Sequence, residues 1–281
     1  MVLGNASVLV KPLAHAVLDL RAFHTCSALK ALLARPWFRL FGRRDGTIEL
    51  RTREFGSIVV RPLDSDLSVV RQTLRDREYE IPSRFAAGQI NNAYARILAR
   101  GRLPVIIDAG ANIGAAAVWF GKHFPKSAVV AIEPERRNAI LARRNTGGNP
   151  NIKVVEAAVG ANSGFVSVFE PDAQAWAVTT RRSDSGCPVI TVEDALALVP
   201  QGELLLVKID IEGFESDLFS TNVGWLDRTA AVVIEPHDWL FSGQGTSHSF
   251  QRAMGSRRFD LYIKGENLIF VNSSLRDDVV S

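Results

Sequence analysis

Val105-Ile106-Ile107-Asp108-Ala109-Gly110-Ala111-Asn112-Ile113-Gly114 is the stretch on which the reading of this 281-residue chain turns. Its opening apolar run predicts a strand buried on both faces. Gly110 and Gly114 then permit a tight turn and let the backbone approach a ligand where a Cβ would intrude. A helix through Ala115–His123 follows. A loop in that position, outside the carboxyl end of a parallel strand, is where open α/β sheets hold ligands. Two ligand classes compete for it. A dinucleotide asks for G-x-G-x-x-G, with the pyrophosphate on the helix N-terminus. Here Asn112 replaces the middle glycine and Asp108 puts an acid before the loop. An acid suits S-adenosylmethionine, which carries an ammonium and a sulfonium and no phosphate. Glu133 closes the next apolar run, 25 residues after Asp108, where a carboxylate can accept both ribose hydroxyls of either class. The loop therefore predicts S-adenosylmethionine. A purely structural turn, a nucleotide (NAD)-dependent oxidoreductase on a similar fold and a non-catalytic cofactor-binding protein are the alternatives.

Outward from the loop, strands and helices alternate. Ala128–Ile132, Ile152–Val155, Leu204–Ile209 and Ala230–Ile234 read as further buried strands, and Arg136–Arg144 and Val192–Leu198 as helices. Gly164–Phe169 alternates like an edge strand. Phe259–Ile263 and Leu268–Val271 flank Lys264-Gly265-Glu266-Asn267, a hairpin signal. A mostly parallel seven-stranded sheet closed by a C-terminal antiparallel hairpin is the class I (Rossmann-like) methyltransferase layout. Residues 101–281 are assigned to that domain and 1–100 to an N-terminal extension. The extension reads as helical over 8–41 with breaks at Pro12 and Pro36. A β-hairpin over 47–61, a helix capped by Ser65 or Asp66, and a helix over Ile90–Arg100 follow.

A second constellation lies at the ends of the fourth and fifth parallel strands. Lys208, Asp210 and Glu212 alternate toward one face, with Glu215 and Asp217 in or near the next helix; Glu235, His237 and Asp238 close the neighbouring strand. Some of these acids are explained equally well as helix caps or ion-pair partners. Transfer of a methyl group to an alcohol needs in-line positioning and a base that removes the hydroxyl proton. His237 titrates in the useful range and is the first candidate base, with Asp210 second. A divalent metal on Asp210, Glu212 and Glu235 would activate the alcohol instead. It is not favoured, because no dedicated metal motif is present.

Composition narrows the partners. A net charge of +3 with 22% charged residues gives no basic stripe for nucleic acid. Basic clusters at 35–44, 71–77, 136–144 with 181–182, and 257–258 read as solvated faces, or as anion or membrane contacts. Cys26 and Cys187 lack metal-ligand spacing, which points to a reducing cytoplasm. No charge-free run is long enough to span a bilayer. Peripheral membrane contact through the Leu-, Ala- and Phe-rich segment 8–41 is the minority reading, and packed helices the majority one.

Taken together these motifs resemble the FkbM family of S-adenosylmethionine-dependent methyltransferases over roughly residues 46–272. Val105–Gly114 is similar to its cofactor loop. Ala131-Ile-Glu133-Pro134, with Asn138, Leu141 and Asn145, resembles its ribose-binding strand and following helix, and Ala158-Val-Gly160 its next turn. Lys208-Ile-Asp-Ile-Glu-Gly-Phe-Glu215 and Val233-Ile-Glu-Pro-His237 resemble its two later motifs, and Arg61–Asp66 with Glu78-Tyr79-Glu80 a segment that precedes them. The resemblance implies a cofactor site of Asp108, Gly110, Asn112, Ile113, Gly114, Glu133, Pro134, Ala158 and Asp210. It places His237, Asp210, Glu212, Lys208 and Glu235 at the acceptor. The implied reaction is O-methylation of a hydroxyl on a sugar, glycan, lipid-linked saccharide or polyketide-type product. Two positions depart from the family pattern: Pro236 stiffens the approach to His237, and Phe214 stands where a small residue is usual.

Overall fold

A computed structural model of the chain describes residues 18–42, 46–169 and 179–275. They divide into two compact units, Met1–Glu78 and Tyr79–Ser281. In the first, a helix spans Thr25–Phe41 and buries Ser27, Ala28, Ala31 and Ala34. It runs through Pro36, where a break was expected; Pro12 lies outside the described residues. Strands β1 (Ile48–Arg51) and β2 (Ser57–Val60) form the expected antiparallel hairpin. Ser65 precedes the helix Asp66–Val70 without a side-chain cap. Asp66 is fully buried and binds Arg61 instead, accepting from its backbone N at 2.7 Å and its Nη2 at 2.8 Å.

The second unit opens with a helix over Arg84–Ala99, which starts at Arg84 where Ile90 was expected. Ser83 Oγ caps it by accepting from Ala86 N. There follow β3 (Leu103–Ala109), a helix (Ala115–His123), β4 (Ala128–Ile132), a helix (Arg136–Thr146) and β5 (Ile152–Val155). Then come four short strands: β6 (Ala158–Val159), β7 (Gly164–Phe169), β8 (Thr179–Ser183) and β9 (Cys187–Ile190). A helix over Val192–Ala197, begun by a Thr191/Asp194 capping box, leads to β10 (Gly202–Ile209). β11 (Ala231–Ile234), a helix (His248–Gly255), β12 (Phe259–Lys264) and β13 (Asn267–Asn272) complete the unit.

The main sheet has the order β12-β13-β11-β10-β3-β4-β5. Its five interior-reading strands run parallel, and β13 pairs antiparallel with both β11 and β12. This is the class I methyltransferase layout expected from the sequence. Residues on both faces of β3 (Val105, Ile106, Ile107) and of β11 (Val232, Val233) are fully buried, because helices cover each side. One strand differs from expectation. β7 is not an edge strand of this sheet but an interior strand of a separate one, ordered β6-β9-β7-β8. Its neighbour β8, Thr-Thr-Arg-Arg-Ser, carries no apolar alternation by which sequence could announce it.

Candidate active site

Strand order decides where the polar residues meet. From β3 the sheet extends to β4 and β5 on one side and to β10 and β11 on the other. A reversal of this kind opens a crevice at the carboxyl ends of the flanking strands. Asp108 and Lys208 stand opposite each other in register across that boundary. The glycine loop leaves β3, Glu133 ends β4, Asp210 ends β10, and Glu235 and His237 follow β11. All four strand ends belong to the same sheet edge.

The loop is held by its neighbours. Gly110 N and Ala111 N each donate to Ile132 O at 2.9 Å. Gly110 has φ +78°, and a Cβ there would stand 1.7 Å from the Asp210 carbonyl oxygen, so no side chain is admissible. Asn112 also adopts a positive φ, 49°, and its amide donates to Glu133 Oε2 at 2.7 Å. The Asn112 Oδ1 atom is buried with no hydrogen-bond partner, an acceptor awaiting a donor. Ile113 is fully buried and presents only its backbone, whose oxygen accepts from Asn145 Nδ2. Gly114 starts the following helix at φ +83° against Ala142 and Thr146.

Glu133 is 5% exposed, and its Oε1 accepts from Glu135 N at 3.0 Å and from Asn138 Nδ2 at 3.4 Å. Burial pushes its carboxyl up to about 7. Pro134 is half-buried beside it. Ala158 is buried and pairs with Val189, while the preceding Ala157 N donates to Glu133 O.

Asp108 sits deeper than expected. It is fully buried, with Oδ1 3.1 Å from Lys208 Nζ. Lys208 also donates to Gly110 O at 2.7 Å and stands 3.4 Å from Asp210 Oδ2. Burial opposes the ammonium charge, but Asp108, Tyr79 and Asp210 overcome it and hold the Lys208 pKa well above its ordinary value. Burial likewise pushes the Asp108 carboxyl upward while Lys208 pulls it back. Asp108, expected at the cofactor, forms an internal ion pair with Lys208. Lys208, grouped with the catalytic residues from sequence, is 2% exposed and donates to the loop carbonyl of Gly110.

Around His237 the acids converge. Its ring is 2% exposed, with Nδ1 2.8 Å from Glu215 Oε1. Nε2 lies 3.5 Å from both Asp210 Oδ1 and Glu212 Oε2, and 3.9 Å from Glu235 Oε1. Burial works against the imidazolium, yet Glu215, Asp210 and Glu212 outweigh it and push the pKa up to about 9. Glu212 is itself pushed up to about 7, by burial and then by Asp210. The turn carrying these acids is tight: Glu212 has φ 53°, and a Cβ on Gly213 would meet the Phe241 ring at 2.2 Å.

Glu215 was indistinguishable from a helix cap in sequence; only the fold reveals it as the partner of His237. Trp239 was missed altogether. It is 64% exposed with its ring centroid 6.4 Å from that of His237. Asp217 and Asp238 have structural partners, Arg182 and the Thr246–Ser247 pair respectively. Phe214 packs with Ala158, Val166 and Val189. Asp210, Glu212 and His237 offer donor atoms within 4.8 Å of one another, a set able to hold a divalent ion. Glu235, the third ligand of the metal reading that the sequence did not favour, is not in that set. A protonated His237 already neutralises the same carboxylates, so a cation must displace that proton to bind.

Comparison with known proteins follows the geometry. The family model described as the methyltransferase FkbM domain matches residues 108–258. A curated relative, the 2-O-methyltransferase NoeI of Sinorhizobium fredii (strain NBRC 101917 / NGR234), is 27% identical over 172 residues, covering 50% of this chain and 67% of NoeI. Among solved structures, the methyltransferase FkbM of Methylobacillus flagellatus KT aligns with 14% identity and a TM-score of 0.43 over 94% of this chain. This chain spans 60% of the length of that protein. A methyltransferase from Geobacter sulfurreducens aligns with 16% identity and a TM-score of 0.34, covering 73% of this chain and 87% of its own.

Proposed function

The chain belongs to the FkbM methyltransferase domain family, and from that membership we propose that it moves a methyl group from S-adenosylmethionine to an alcohol. The observation that carries the reading is a buried His–Glu pair, His237 and Glu215, on the same sheet edge as the glycine loop.

The loop residues fit the cofactor. Asn112 Oδ1 is a buried acceptor without a donor, which an ammonium or hydroxyl would satisfy. Glu133, surrounded by amide donors and poor in solvent, suits a ribose diol. Gly110 lets the loop lie against the Asp210 carbonyl at the strand ends, where a Cβ would collide. Glu133, Asp210, Glu212 and Glu235 leave the crevice with an excess of carboxylates over His237, since Lys208 is balanced by Asp108. That excess repels a diphosphate and disfavours the dinucleotide alternative. When bound, S-adenosylmethionine supplies the transferable methyl group and a positive charge that opposes the proton on His237.

His237 Nε2, once deprotonated, takes the hydroxyl proton as the oxygen attacks. Glu215 holds Nδ1, fixing the ring and stabilising the imidazolium that forms, a positioning role. Asp210 and Glu212 hold the acceptor hydroxyl near Nε2. We place a saccharide first among acceptors, because Trp239 offers an exposed aromatic face beside His237 on which a sugar ring can stack. NoeI, a 2-O-methyltransferase, points to the same oxygen chemistry. Cys26 and Cys187 are free thiols, which supports a cytoplasmic setting.

Calorimetry with S-adenosylhomocysteine and with NAD(H) tests the cofactor: binding of the first alone is expected, and binding of NAD(H) alone would overturn the proposal. Mass spectrometry of saccharide extracts incubated with labelled cofactor tests the acceptor, with label on a sugar hydroxyl expected.

A further inference from the structure

Gly160 ends the turn that opens with Ala158. A Cβ there would stand 2.7 Å from Asp217 Oδ1 and 2.9 Å from Arg182 Nη2, so the bare backbone makes room for that ion pair. The pair is two-pronged: Arg182 Nε donates to Asp217 Oδ2 at 2.8 Å, and Nη2 donates to Oδ1 at 2.7 Å. Ala161 N donates to the same Oδ1 at 3.1 Å. The guanidinium carbon also lies 5.6 Å from the centre of the Phe214 ring, within the range of a cation–π contact. A planar guanidinium suits both contacts, where an ammonium would supply only a point charge.

Both targets of Arg182 sit on the segment that carries Glu215. Phe214 precedes Glu215 and is buried against Ala158, Val166 and Val189 of the second sheet. Asp217 follows by two residues, in the four-residue helix Glu215–Leu218. Glu215 itself is buried and has little to hold its side chain. Its Oε1 meets His237 Nδ1 at 2.8 Å, and its Oε2 is buried without a hydrogen-bond partner. A carboxylate so placed stands where its backbone puts it, and so short a helix does not fix that backbone alone. Arg182 reaches the segment from β8, whose residues are polar throughout. It grips the chain on either side of Glu215.

We propose that Arg182 is a positioning residue for methyl transfer: it clamps Asp217 and Phe214 and thereby sets Glu215 against the His237 ring, so that Nε2 faces the acceptor. The proposal rests on the reading of His237 as the base. The carboxylates around that ring are Glu215, on Nδ1, and Asp210, Glu212 and Glu235, on the Nε2 side. Of these, Glu215 alone lies between the two residues that Arg182 holds. Loss of the clamp therefore frees Nδ1 before it disturbs the other side of the ring.

Proton NMR of the full chain reads the clamp. Beside a carboxylate, which only accepts, Nδ1 carries the proton. A buried Nδ1–H on Glu215 should give a low-field imidazole signal that exchanges slowly, and His237→Gln assigns it by its loss. An Arg182→Gln/Asp217→Asn double variant removes both charges together, so a change in this signal reports geometry rather than net charge. The signal is expected to broaden or vanish, with S-adenosylhomocysteine affinity little changed. Turnover on the high-pH plateau should fall roughly ten- to a hundredfold, the cost of a misplaced catalytic group. Arg182→Lys keeps the charge and loses the fork, and should show the same defects more weakly. A wild-type signal and plateau in the double variant would overturn the proposal, as would an Arg182→Lys variant equal to wild type. Should the double variant fail to fold, and so fail to bind S-adenosylhomocysteine, Arg182→Lys decides alone. If the wild-type chain transfers no methyl group, the proposed reaction fails, while the imidazole signal still decides whether Arg182 fixes the ring.

Discussion

His237 combines two properties that conflict at neutral pH, since it is placed as a base yet holds its proton up to about pH 9. The conflict yields a signed prediction. With cofactor and acceptor saturating, the rate should rise with pH along a limb set by His237. Glu215→Gln removes the carboxylate that raises that pKa, so the limb should move to lower pH. A limb that stays in place would remove Glu215 from the mechanism. His237→Gln should lower turnover by on the order of 10²-fold or more, with cofactor affinity little changed by calorimetry. On the cofactor side the expectation reverses. Gly110→Ala would drive a Cβ into the Asp210 carbonyl and should abolish S-adenosylhomocysteine binding. Asn112→Gly should weaken it while leaving the melting temperature nearly unchanged, because Oδ1 has no partner within the protein and glycine tolerates the positive φ.

Among the elements, β3 and β10 are the pair on which the site depends. Their register sets Asp108 against Lys208, and the lysine then fixes the Gly110 carbonyl. Removing one member of a buried ion pair leaves the other uncompensated, which typically costs about 3–5 kcal/mol. Lys208→Met should therefore unfold at markedly lower denaturant, with loss of cofactor binding. An Asp108→Asn/Lys208→Met double variant should recover part of the stability. If it is no more stable than Lys208→Met alone, the pair does not act as a unit. Sequence placed these strands well, because uninterrupted apolar runs have few other uses. It was weaker on β8, whose polar residues carry no alternation, and on Pro36, which the helix tolerates.

For the molecule as a whole, proton binding links stability to pH. His237 is raised from 6.5 to about 9, so its stabilisation is complete below about pH 6.5 and is lost as pH rises through about 9. Glu133 and Glu212 are raised from 4.5 to about 7, and their contribution disappears as pH rises through about 7. The folded chain therefore binds more protons than the unfolded one across this range. Its melting temperature should fall between about pH 5 and pH 9, and His237→Gln should flatten the upper part of that fall. Metal is tested at the same scale. Turnover is expected to persist after exhaustive chelation, because the His237 proton does the neutralising that an ion on Asp210, Glu212 and His237 would do. Loss of activity restored by a divalent ion would assign those three residues to a metal instead.

The fold class and the site's location were legible in the chain because they are local: apolar strands, a glycine loop at one strand end, and acids at the ends of others. The sequence by itself determined which residue types reach the sheet edge. Only the tertiary structure decided which of them face each other. Asp108, read as a ligand for a cation, meets the cation of Lys208 from a strand about a hundred residues away. Glu215, indistinguishable from a helix cap, becomes the partner of His237. Strand order and register bring such residues together, and burial then sets their charges. Neither quantity is carried by any short stretch of sequence, because each depends on the neighbours that the whole sheet supplies.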